Sequence, residues 1–139
     1  MPLRALIDNR DIVAPLLSDD EWEKLKLAVK QKKSQVILPC CQNNGFLRVS
    51  KLGTKHFVHR TKQNCNWKSE SMEHIKAKSE IVLACKDSGY EALSEVSGED
   101  WRADVLAIKN DIKIAFEVQL SAQTLEETIK VTVHGKLSH

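Results

Sequence analysis

Apolar and polar side chains alternate from Ile112 to Ser121. Ile112, Ile114, Phe116, Val118 and Leu120 fall on one face, with Lys113, Ala115, Glu117, Gln119 and Ser121 on the other. A period of two is that of an extended strand. The segments "YEALSEV" and "WRADVLAIK" ahead of it also read as strands. The pattern changes in "SDDEWEKLKLAVKQ", where Trp22, Leu25 and Val29 line one face of a helix. Ser18 and Glu21 form a capping-box pattern there, and the acidic first turn suits the helix dipole. "SESMEHIKAKSEIVLACKDSGY" predicts a second helix, with Ser69 as N-cap and Gly89 close to its end. Between the helices, "SQVILPCCQNNGFLRVSKLGTKHFVHRTKQNC" predicts three short strands separated by Asn-Asn-Gly and Leu-Gly-Thr turns. Strands this short have little core of their own, and a metal would supply the missing stability. "SAQTLEETIK" predicts a closing helix with a Thr124–Glu127 capping box, although Thr128 to Val133 also alternates β-branched residues as a last strand would.

These elements divide the chain into residues 1–66, an N-terminal helix with a small β-rich module, and residues 67–139, running helix, three strands, helix. The fold class is mixed α and β. With 139 residues, 42% of them hydrophobic and 29% charged, the chain is of globular type; only 5% are aromatic, so the core must be mainly aliphatic. No apolar run is long enough to cross a membrane, and "MPLRALIDNRDIVAP" lacks a signal peptide's apolar centre, so a cytoplasmic protein is expected.

The net charge of +2 conceals an asymmetry. No Asp or Glu occurs from Lys24 through Ser69, a stretch holding eleven of the 21 basic residues. A basic segment free of acids suits an anionic partner, of which nucleic acid is the common one; a solvated lysine face gives the same pattern.

The candidate chemistry lies in the last two predicted strands. If Asn110 and Asp111 form a two-residue turn, paired residues have numbers summing to 221, which sets Asp104 opposite Glu117 and Arg102 opposite Gln119. Opposed carboxylates share a sheet face and repel unless neutralised, and Mg²⁺ is suited to one or two carboxylates plus a phosphate. On the preceding helix Glu70, His74 and Lys78 are spaced i, i+4, i+8 and make one polar stripe, from which Glu70 would reach the same metal. Phosphodiester hydrolysis follows from such a set, with Lys78 or Gln119 positioning the attacking water. An ordinary solvated strand and helix surface would carry the same residues. No nucleotide-binding glycine loop and no serine-hydrolase elbow occurs in the chain.

The pieces "LPCC", "SKLGTKHFVH", the cysteine of "NCNW", "SESMEHIKAK", "WRADVLA" and "IAFEVQLSAQTLEET", in this order over roughly residues 20–128, resemble the competence protein CoiA-like family, whose members carry a nuclease-like domain of the PD-(D/E)XK superfamily. The resemblance implies a restriction-endonuclease-like core and a role in handling DNA during transformation or recombination. It implies that Asp104 is the motif aspartate and Glu117 the second acid. Gln119 then stands in place of the usual lysine, Glu70 is the acid of the first helix, and His74 and Lys78 are its polar positions. The cation would be Mg²⁺ or Mn²⁺. Family members continue beyond "SAQTLEET" with an arginine- and tyrosine-containing segment. Here no Arg follows residue 102 and no Tyr follows residue 90, so the chain reads as a shortened member.

Cys40, Cys41, His56, His59 and Cys65 lie within 26 residues and are candidate ligands of a structural zinc. Neighbouring cysteines point oppositely along a strand, so one of Cys40 and Cys41 is expected to join His59 and Cys65. His56 is a candidate fourth ligand only if a bulge interrupts "HFVH". Buried thiols and surface histidines are the plainer reading of the same residues. Cys85 belongs to an apolar helix and is expected in the core; Trp22, Trp67 and Trp101 are expected as partly buried core rather than base-stacking platforms. Two further functional readings stand beside the nuclease: a DNA-binding module that cuts nothing, and a protein-interaction remnant.

Overall fold

The computed structural model describes residues 2–60, 70–97, 102–120 and 127–134. Two compact units are present, Met1–Ile75 and Lys76–His139. The 66/67 division expected from the sequence falls among residues outside those described. The architecture is mixed α+β with antiparallel sheets.

The first unit opens with a hairpin ahead of the elements that the sequence pattern predicts. Strands β1 (Arg4–Ile7) and β2 (Arg10–Val13) are joined by Asp8 and Asn9 alone, both at positive φ (52° and 64°). Two left-handed residues in a row make the hairpin turn that matches strand twist, and Asp and Asn tolerate that conformation. Helix α1 (Asp19–Lys30) follows, with the full capping box at Ser18 and Glu21. Strands β3 (Val36–Ile37), β4 (Asn44–Val49) and β5 (Lys55–His59) complete a sheet of order β2-β1-β3-β4-β5.

The Asn-Asn-Gly segment does not form the turn it predicted. Asn44 and Gly45 lie inside β4, and the chain reverses earlier, over residues 39–42, with Gln42 at φ 60°. Gly45 serves close approach instead: a Cβ there would lie 2.7 Å from the Val58 carbonyl oxygen and 3.0 Å from Leu38. The Leu-Gly-Thr turn is in place, with Gly53 at φ 83°.

The module also has the core that its short strands seemed to lack. Ala5, Ile7, Ala14, Trp22, Val36, Leu38, Leu47 and Phe57 form one buried cluster, with Leu25 and Val29 of α1 packed against it. The first hairpin supplies part of this cluster, and Trp22 meets Phe57 at a ring-centroid distance of 5.7 Å. Trp22 is thus a core residue, whereas Trp67 and Trp101 lie outside the described residues.

Helix α2 (Met72–Asp87) begins later than its polar stripe suggests. The Ser71 hydroxyl accepts the His74 N–H at 3.1 Å and so caps the helix; Ser69 lies outside the described residues. At the other end Gly89 (φ 85°) lets Tyr90 N–H reach back to the Cys85 carbonyl, the Schellman closure. Strands β6 (Glu91–Ser97), β7 (Arg102–Lys109), β8 (Ile112–Leu120) and β9 (Glu127–His134) form an antiparallel meander in chain order. The strand β9 replaces the expected helix over 127–130; the rest of that helix, including Thr124, lies outside the described residues. β-Branched residues at 128, 129, 131, 132 and 133, paired along the whole β8 edge, outweigh the capping-box signal. No helix among the described residues is long and apolar enough to cross a membrane.

Candidate functional site

The β7–β8 register is the one that the two-residue turn requires. Lys109 pairs with Ile112 and Val105 with Phe116, each pair summing to 221, and Asn110 takes φ 54° in the turn. Continued one step, this register sets Asp104 across from Glu117. The ladder stops at Val105 and Phe116, however, and the Val118 N–H donates to Asp104 Oδ2 at 2.8 Å. On the other side of β7, Ser94 pairs with Val105 and Val96 with Ala103, which sets Glu95 across from Asp104. The pairing skips that level too, where Glu95 has φ 48°. Both ladders are therefore interrupted at Asp104, which is 7% exposed. A non-glycine residue in the left-handed region within a strand costs energy and persists only where the surroundings hold it.

Glu95 is the residue that sequence reasoning missed. Its Oε2 accepts from Lys78 Nζ at 2.8 Å, and its Oε1 from the Ser94 hydroxyl at 2.7 Å. Lys78 is fully buried and the Glu95 side chain is 6% exposed. A lysine enters a protein interior only with a partner, so this pair fixes α2 against β6. No local signal marks it: the predicted strands 90–96 and 101–109 pair with a sum of 197, which sets Leu93 opposite Asp104, whereas the observed sum is 199.

The other sequence candidates fall in distinct places. Glu70 precedes α2 instead of lying on it, because Ser71 caps the helix; its Oε2 still lies 3.2 Å from His74 Nδ1. Both residues belong to the first unit. Lys78, Glu95, Asp104 and Glu117 belong to the second. The Glu117 side chain is exposed. Gln119 pairs through its backbone with Thr128, and its side chain lies outside what is described.

In the first unit Cys40, Cys41 and His59 converge. Their ligand atoms all lie within 4.8 Å of one another, and the group could hold a metal ion. Cys40 Sγ is 3.7 Å from Cys41 Sγ and 3.3 Å from His59 Nε2. Adjacent cysteines point oppositely along a strand, but Cys40 and Cys41 occupy a turn, where that alternation does not apply. His56 is not brought to this group. Strand β5 pairs with β4 without a bulge, so His56 and His59 take opposite faces. His56 is 1% exposed, with Nδ1 3.0 Å from the Thr54 carbonyl oxygen. Burial, the largest effect, holds its pKa below the ordinary histidine value. Cys65 lies outside the described residues. Cys85 is buried in α2, and burial pushes its thiol pKa up.

Of the acid-free segment, Lys55 is already engaged: its Nζ lies 2.9 Å from the Leu17 carbonyl oxygen and 2.8 Å from Asp19 Oδ1. No protein-family profile, curated protein or solved structure matches the chain.

Proposed function

We propose that the chain is a metal-dependent DNA nuclease that hydrolyses phosphodiester bonds. The reading rests on the CoiA-like resemblance, and one observation carries it further: Asp104, a buried carboxylate, stands where the pairing on both sides of β7 gives way, with Glu95 across from it on β6 and Glu117 one residue past the last β7–β8 pair. Backbone strain and interrupted ladders concentrate at working sites. Carboxylate oxygens from two adjacent strands are hard donors and fit Mg²⁺ or Mn²⁺ in kind. In this reading Asp104 and Glu117 hold the cation, the Val118 N–H fixes the Asp104 carboxylate, and Lys78 positions Glu95 from beneath. Gln119 positions water or phosphate. The bound cation polarises the phosphate and lowers the pKa of its water. Glu70 and His74, described with the first unit, take no part in this assignment. The basic stretch of residues 24–69 holds the DNA backbone, which makes affinity fall steeply with salt.

The test is cleavage of end-labelled single- and double-stranded DNA with Mg²⁺ or Mn²⁺, with Asp104→Ala and Asp104→Asn alongside. The expected result is cleavage by the native chain and a loss of roughly a hundredfold or more in both variants. Salt-sensitive DNA binding without cleavage would favour the DNA-binding module instead. That second reading has its own support in the exposure of Glu117 and in the strand β9 where the resemblance implies a helix. Absence of DNA affinity at low salt would leave the protein-interaction remnant.

A further inference from the structure

We propose that Cys40, Cys41 and His59 bind one zinc ion, a site in the first unit that is separate from the nuclease's cation. It uses both neighbouring cysteines and excludes His56.

Three observations carry the proposal. The first is distance. Zn–S bonds of about 2.3 Å and Zn–N bonds of about 2.0–2.1 Å at tetrahedral angles put two sulfurs about 3.8 Å apart and a sulfur and nitrogen about 3.6 Å apart. The Cys40–Cys41 separation is 3.7 Å and the Cys40–His59 separation is 3.3 Å. These two separations are close to tetrahedral edges, and the third, from Cys41 to His59, is within 4.8 Å. The second is backbone. The cysteines occupy the four-residue turn between β3 and β4, closed by Leu38 N–H to the Asn43 carbonyl oxygen and Gln42 N–H to the Leu38 carbonyl oxygen. His59 ends β5, paired with Gly45. Gly45, with no room for a Cβ, brings β5 and the Leu38 end of that turn close together. The third is chemistry. Neither cysteine is in a disulfide, and two thiolates with one imidazole form a soft donor set that selects zinc over Mg²⁺.

Binding is balanced in charge and protons. Each cysteine gives up its thiol proton and His59 binds through Nε2 as the neutral ring. Two protons are therefore released per zinc, and the two thiolates offset the ion's charge. Three protein ligands leave a fourth position for water or a further side chain. The ion ties the β3–β4 turn to the end of β5, adding a cross-link at the rim of a unit whose apolar core is already in place.

The full-length chain, stripped of metal under reducing conditions, is titrated with Co²⁺ and then with Zn²⁺ in competition. One equivalent of Co²⁺ should give tetrahedral visible bands and a thiolate-to-cobalt charge-transfer band, both removed by Zn²⁺. Cys40→Ser, Cys41→Ser and His59→Ala should each weaken binding by tenfold or more. Each should also shrink the rise in melting temperature that zinc produces. His59→Cys should keep cobalt binding with a stronger charge-transfer band, which guards against variants that merely misfold. Magnesium should not compete. Cobalt taken up without a charge-transfer band would overturn the proposal, as would unchanged binding in Cys41→Ser. Nuclease activity plays no part in these readouts, so loss of the nuclease reading leaves this one standing, and the reverse.

Discussion

In the first unit an apolar cluster runs from Ala5 of β1 through Trp22 of α1 to Phe57 of β5, His56 is buried as a neutral ring, and the Cys40–Cys41–His59 group lies at a turn and a strand end. In the second unit charge is carried inside. Lys78 and Glu95 are buried as a pair, and Asp104 is buried beside the interruption of two strand ladders. The first arrangement lets burial do the folding and brings the two cysteines and the histidine together beside the apolar cluster. The second gives up burial of apolar surface to place a carboxylate at a fixed point in a sheet. A buried ion pair often stabilises less than apolar side chains of the same volume, so the second unit carries this pair at a cost in stability.

The comparison breaks most sharply at Lys78. Lys78→Met leaves Glu95 buried with no lysine facing it and should cost roughly 3–5 kcal/mol, read from denaturant unfolding. The double variant Lys78→Met with Glu95→Leu should recover most of that loss while losing whatever activity the site has. A single variant as stable as the native chain would mean that the pair does not anchor α2.

In the first unit the equivalent test is steric. Gly45→Ala forces a Cβ to 2.7 Å from the backbone oxygen of Val58, so β5 must shift. A loss of about 1–3 kcal/mol is expected, with weaker cobalt binding because His59 moves with its strand. Unchanged stability and unchanged cobalt affinity together would show that the close approach carries no weight.

The smallest effect is one of pH. Burial keeps His56 neutral in the folded chain, with a pKa below its ordinary 6.5. The unfolded chain then binds more protons as pH falls through that ordinary value. The contribution of His56 to stability is complete above about pH 6.5 and declines as pH drops toward the depressed folded value. The melting temperature of metal-free protein should fall from pH 7.5 to 5.5, and the fall should be smaller in His56→Gln. Equal slopes in the two proteins would remove His56 as the cause.

Local signals determined much of this molecule. The capping box at Ser18 and Glu21, the Trp22–Leu25–Val29 face, the Gly89 stop and the pair-sum of 221 in the last hairpin are all short-range, and the structure has each of them. Such features depend on hydrogen bonds and steric limits within a few residues, which the sequence states directly. The ordering that depends on distant partners was decided only in three dimensions. Gly45 read as a turn residue because its close neighbour, the Val58 carbonyl, is thirteen positions away. The residues of β9 carry helix and strand signals at once, and the open edge of β8 settled them as a strand. Cys40 and Cys41 could share a ligand only once Pro39 to Gln42 became a turn. Glu95 gained its meaning from Lys78, seventeen residues before it, because a buried charge is tolerable only where tertiary packing delivers its partner.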